Sequence, residues 1–236
     1  MLVDAHVHVH PCFSAEALLD GAFRNFRRAA ADLGHSEAVG CLMLAEMAGV
    51  HWFRQFRKER EAIVVRGTER LVVVAGRQIV TRERLEVLAL GRDVDIPDGL
   101  SLSEALHRVR ESGALPVLPW GFGKWWGRRG ALVEDAISSE GELYLGDNSG
   151  RPWFAGMRSG RLVLPGSDPL PFPNQAGRAG SFGFVLEGPL DLRSPAEDLL
   201  RRIRALREQP RTYGRGETLP GFLWNQASLQ LRRVSA

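Results

Sequence analysis

Short apolar runs alternate with amphipathic stretches along the whole chain. The runs at 2–9, 39–44, 71–79, 85–90, 115–118, 142–145, 161–164 and 182–186 have the length and residue types of strands. Between the first two, residues 14–33 carry Leu18, Ala22, Phe26 and Ala29 on one helical face and arginines on the other. Residues 101–112 open with Ser101 and Glu104, a capping-box spacing, and 194–208 open with Ser-Pro, a good helix start. Residues 50–61 and 128–138 also read as helices. Strands alternating with helices predict an α/β fold with a parallel sheet. About eight strands in one domain of 236 residues predict a small (β/α) TIM-like barrel spanning 1–236. Residues 165–180 are loop-rich, and 187–236 form a C-terminal helix and tail.

Composition adds limits. Hydrophobic residues at 44% and charged residues at 25% are those of a folded domain. The start, MLVDAH, lacks the basic and apolar regions of a secretory signal, and the apolar stretch 39–50 is too short to span a bilayer and contains Glu46. Cys12 and Cys41 cannot make a disulfide framework. The expectation is a cytoplasmic protein without membrane contact. A net charge of +3 is small for a nucleic-acid binder, so that partner is not favoured. All but two of the 31 basic side chains are arginine, whose planar forks suit phosphate or carboxylate.

Candidate chemistry begins in the first run, Val3-Asp4-Ala5-His6-Val7-His8-Val9-His10. Alternation in a strand puts His6, His8 and His10 on one face and the valines on the other. Imidazoles facing a core need partners for their nitrogens, and a metal ion supplies one. A later run ends in Gly166-Ser167-Asp168, which sets a carboxylate just past a strand end, where it can bind that metal or act as a base. Glu46, embedded in an apolar run, needs a partner, and a position near the ion would provide one.

The segment 119–130 joins glycines to Trp120, Trp125 and Trp126, with Lys124, Arg128 and Arg129 among them. These cations can grip a phosphate and the indoles can stack on a base or sugar; equally, the tryptophans can pack beneath neighbouring helices. Gly146-Asp147-Asn148-Ser149-Gly150 reads as a turn, with Asn148 placed to orient a substrate. His35, His51 and His107 fall on or near helices and are expected to face solvent.

Asp4-Ala5-His6-Val7-His8 and Gly166-Ser167-Asp168 resemble motifs of the PHP (polymerase and histidinol phosphatase) family. Ala75-Gly76-Arg77-Gln78 with the run 85–91, and the strand ending at Asn148, are similar to its middle motifs, so the resemblance covers about residues 2–186. It implies a distorted barrel that hydrolyses phosphoesters with up to three metal ions. The departures are specific. Gln78 stands where a bridging glutamate is usual, and Glu86 where a histidine is. Pro119-Trp120 replaces His-Pro, Leu170 replaces a histidine, and Leu44-Ala45-Glu46 replaces Thr-Asp-His. A trinuclear centre lacks its ligands. What the resemblance leaves is one ion (zinc, manganese or iron) on His6, His8 and Asp168, with Gln78 or Glu46 as a weak fourth partner.

The resulting expectation is a metal-dependent phosphoesterase acting on a small phosphorylated substrate. Lys124, Trp125, Arg128, Arg129, Asn148 and His10 would contact that substrate, and Asp168 would be catalytic. The rivals are a catalytically inactive PHP-like domain that binds a ligand or protein partner, and an amidohydrolase-like enzyme.

Overall fold

Local pattern becomes structure almost run by run. In the computed structural model, which describes residues 1–36, 38–59, 62–121, 123–148, 160–216, 219–221 and 224–225, Ser14 accepts a hydrogen bond from Ala17 N and starts α1 (Ala15–Asp32). Ser101 and Glu104 form the expected capping box at α3 (Leu102–Glu111). The remaining helices are α2 (Trp52–Glu59), α4 (Gly127–Ser139) and α5 (Pro195–Ala205). A 3-10 helix, Pro173–Arg178, interrupts the loop-rich segment.

The strands form two mixed sheets. The first comprises β1 (Leu2–Val7), β2 (Val39–Leu44), β3 (Ile63–Arg66), β4 (Glu69–Val74), β10 (Phe182–Val185) and β11 (Thr212–Gly214), in the order β11-β10-β1-β2-β4-β3. The second is β5 (Gly76–Val80), β6 (Glu86–Leu90), β7 (Leu115–Pro119), β8 (Tyr144–Asn148) and β9 (Val163–Gly166), in sequence order. Parallel pairing holds for β1-β2-β4 and for β7-β8-β9; the other neighbours are antiparallel.

This corrects the expected closed (β/α) barrel: the fold is a two-sheet α/β arrangement. The cause lies at the strand edges. One edge of β1 is taken by antiparallel β10, and the outer edge of β4 by antiparallel β3, so neither edge can carry a continuous ladder into the second sheet. The run 71–79 is likewise not one strand. It breaks at Ala75, and its halves join different sheets as β4 and β5. Gly76 makes that crossing possible, since a Cβ there would lie 2.1 Å from Leu44 O.

The sheets meet along two seams. At one, Glu46 N donates to Gly76 O (3.1 Å) and Gln78 N to Glu46 O (2.8 Å). At the other, Asp168 N donates to His6 O at 2.8 Å. Gly166 allows this second approach, because a Cβ there would meet His6 N at 2.3 Å. Val3, Ala5, Met43, Val72, Val74, Leu88, Leu115, Val117, Phe184 and Leu199 fill the space between the sheets. Phe23, Phe26 and Leu18 of α1 cover the outer face of the first sheet. Leu106, Val109 and Val133 of α3 and α4 cover that of the second. Among the described residues, no helix is long and apolar enough to cross a membrane.

Candidate functional site

The first strand is not evenly alternating. Asp4 pairs with Leu42 and Val7 with Leu44, so three steps along β1 match two along β2, a β-bulge. Leu2 consequently shares a cluster with Val7 and Val9, whereas Val3 and Ala5 lie in the cluster between the sheets. His6 lies within the irregularity and His8 and His10 follow it; all three are buried. Asp4 precedes it and turns toward the α1 side, where Gly180 also lies against Phe26 and Ala22.

Asp4, assigned no role from sequence, anchors the site. Fully buried, it accepts hydrogen bonds from His6 N (3.2 Å), Ser167 N (2.8 Å), Ser167 Oγ (2.6 Å) and Gly180 N (2.7 Å). Burial pushes its carboxyl up to about 7, opposed by those donors. Through them it ties β1 to the end of β9 and fixes His6 beside Asp168. Parity with the histidines was the available signal, but it pointed to the wrong face.

His6 Nε2 and His8 Nε2 stand 3.0 Å apart. Asp168 Oδ1 lies 3.7 Å from the first and 3.6 Å from the second. These three groups offer ligand atoms to one ion. Atoms ~2.0–2.1 Å from a tetrahedral ion stand roughly 3.3–3.4 Å from one another, so this triangle has the dimensions of one face of a zinc site. Burial pushes the His6 imidazole down to about 4, against the pull of Asp168, which leaves it neutral as a ligand must be. Burial works to raise Asp168, but His6, His8 and Lys124 outweigh it and hold the carboxyl below its usual range. The Nδ1 atoms of His6 and His8 are buried without hydrogen-bond partners among the described residues. His6 packs edge-on against His8 (4.8 Å between centroids), and His8 lies tilted against His10 (5.5 Å).

Asp168 has φ +46°, a left-handed conformation that aspartate tolerates better than most residues. Its Oδ2 accepts from Asn148 Nδ2 at 2.9 Å, and the same Nδ2 donates to Trp120 O at 3.0 Å. Two acceptors around one atom settle which end of the amide is nitrogen. Asn148 ends β8 and holds Oδ2 so that Oδ1 faces the imidazoles, while the rest of the expected turn, 149–150, lies outside the described residues. The Oδ1 of Asn148 itself is buried without a hydrogen-bond partner among the described residues. Asn148→Ala is expected to weaken ion affinity about 10- to 100-fold with the fold retained, measured by competition with a chelator.

The other candidates divide. His10 Nε2 lies 2.9 Å from Pro169 O and ties the strand end to the Asp168 loop. Lys124 is ion-paired with Glu86. Trp125 packs against the cluster beneath α3 and α4, as its structural reading required. Arg129 Nη2 staples the loop through Gly123 O (2.9 Å), and Arg128 is exposed. His35, His51 and His107 are exposed as expected.

Gln78 is buried on β5, and Glu46 is not part of the group of His, Cys, Asp and Glu ligand atoms found among the described residues. Glu46 serves a helix start instead, where its Oε1 accepts from Phe53 N (2.7 Å) at the beginning of α2. Burial pushes this carboxyl up to about 7. The folded state thus holds a proton that the unfolded chain releases near 4.5, and the associated stability is lost as pH rises through about 7. Denaturant titrations at pH 5 and 8 are expected to show wild type losing on the order of 2–3 kcal/mol relative to Glu46→Gln over that interval.

No family model and no curated protein matches this chain. Among solved structures it is similar to the crystal structure of PsfC from Pseudomonas syringae PB-5123, with a TM-score of 0.53 and 13% identity, over 97% of each chain. At that identity the likeness shows the fold alone.

Proposed function

We propose that the protein is a metal-dependent hydrolase of phosphoesters, PHP-like in its motifs, with one divalent ion held by His6, His8 and Asp168. The observation that carries this reading is the convergence of His6 Nε2, His8 Nε2 and Asp168 Oδ1, contributed from two sheets and spaced as ligands of a single ion. Zinc, manganese or iron suits two imidazoles and a carboxylate. When bound, such an ion supplies Lewis-acid activation of water and of a phosphoryl oxygen.

The chain's own residues prepare that chemistry. Asp4 fixes the backbone of His6 and Ser167, so the two sheets present their ligands at one point. Asn148 occupies Oδ2 of Asp168, which makes Asp168 a ligand through Oδ1 and argues against the free-base role expected from sequence. The neutral state of His6 keeps its nitrogen lone pair for the ion at ordinary pH.

The test is a panel of nitrophenyl phosphomonoesters and phosphodiesters, assayed with protein loaded in turn with zinc, manganese and iron. Turnover is expected only in loaded protein. Equal turnover after chelation contradicts the proposal. A loaded protein that hydrolyses amides but no phosphoester favours the amidohydrolase-like alternative.

A further inference from the structure

The positions that depart from the PHP pattern are not empty of chemistry. Glu86 stands where that pattern has a histidine, and it is paired with Lys124 from the glycine- and tryptophan-rich loop. Register places Glu86 opposite Val80 at the end of the β5–β6 hairpin. It shares a strand face with Leu88 and Leu90, which lie between the sheets, while Val87 and Ala89 face α3. Glu86 thus sits at the margin of the space between the sheets.

Lys124 is held there by the backbone. Trp120 N donates to Gly146 O (2.8 Å), and Trp120 O receives Asn148 Nδ2, the group that also holds Asp168. Lys124 N donates to Gly121 O at 3.0 Å, closing a turn. Its aliphatic chain then folds over Gly121, where a Cβ would lie 2.6 Å from Lys124 Cδ. One connected set of bonds therefore links the ligand Asp168 to the loop that carries the lysine. The lysine side chain is 29% exposed, so its ammonium has donors left for a ligand beyond the one directed to Glu86.

We propose that Lys124, braced by Glu86, is the site's second positive charge, contacting a non-bridging oxygen of a substrate phosphoryl group, and that this group is the monoanion of a phosphodiester. The inference rests on the single-ion reading above. With that ion in place, the charges are +2 and Lys124 against Asp168 and Glu86, a net +1 among these groups. That balance matches a phosphodiester, which carries one negative charge, better than a phosphomonoester, which carries about two above pH 7. A site with several ions would be matched to the dianion. Lysine meets the phosphoryl group as a point charge, so arginine is its nearest substitute.

The experiment is calorimetric titration of the zinc-loaded full chain at pH 8 with diphenyl phosphate and with phenyl phosphate, alongside ion content. Wild type is expected to bind diphenyl phosphate more tightly than phenyl phosphate. Lys124→Met is expected to lose at least about tenfold in diphenyl phosphate affinity with ion content unchanged, and Lys124→Arg to stay within about threefold of wild type. The double variant Lys124→Met with Glu86→Gln removes both charges, guarding against a stray buried carboxylate, and is expected to show the same loss. Diphenyl phosphate affinity unmoved in both Met variants, or tighter binding of phenyl phosphate by wild type, overturns this inference and leaves the single-ion reading standing. A wild-type chain that holds no ion overturns both.

Discussion

Asp168→Asn is expected to abolish phosphoester turnover, by roughly 10³-fold or more, in a protein that remains folded. The substitution keeps the size of the side chain and its bond to Asn148, yet removes the only carboxylate that converges with the two imidazoles among the described residues. A neutral amide oxygen is a poor ligand for zinc, manganese or iron beside two histidines, so ion affinity should fall with it. Losing several kcal/mol of charge stabilisation in the transition state corresponds to the stated rate loss. His6→Ala should give the same phenotype by removing a nitrogen from the same triangle. Near-wild-type turnover in both variants, with unaltered circular dichroism, would contradict the assignment of the site.

Asp4→Ala should have the largest effect on stability of any single substitution at the site. Its carboxylate receives three backbone N–H groups and one hydroxyl, all buried. Alanine leaves these donors without that acceptor, and each buried orphan costs about 1–3 kcal/mol. A total of about 4 kcal/mol or more lowers the melting temperature by roughly 10–15 °C in a chain of this size. Ion binding should fall too, because His6 and Ser167 lose the group that aligns β1 with β9. A melting temperature within about 2 °C of wild type would show that Asp4 does not anchor this seam.

Local patterning made most of the elements legible. The apolar periodicity of α1, the capping box of Ser101 and Glu104, and the strand-like runs all rest on contacts within a few residues, and they form where that periodicity puts them. The two-sheet arrangement was not legible, because closure depends on which edges remain open. The pairings of β10 with β1 and of β3 with β4 are long-range or hairpin choices that leave no periodic trace. The run 71–79 hid its break for a related reason: both halves are apolar, and only the close passage of Gly76 past Leu44 marks the crossing.

The candidate site shows the same division. Three histidines at a spacing of two announced a shared face, and His6 and His8 do converge on Asp168, while the bulge between Asp4 and Val7 breaks the parity that would have put Asp4 with them. The carboxylate at Asp168 was visible because it follows a strand end. Its orientation by Asn148 was not, since the residues around Asn148 also spell a turn. Glu46 drew attention as a charge in an apolar run. Its partner proved to be the N-terminus of α2, which sequence spacing did not single out.

The central claim, one ion held by His6, His8 and Asp168, is tested most directly by metal analysis of untagged protein exposed to zinc, manganese and iron and then dialysed. Wild type should retain about one ion per chain, and His8→Ala of equal folded content should retain less than about a tenth of that. Wild type without bound metal under every condition, or His8→Ala that keeps its ion, would contradict it.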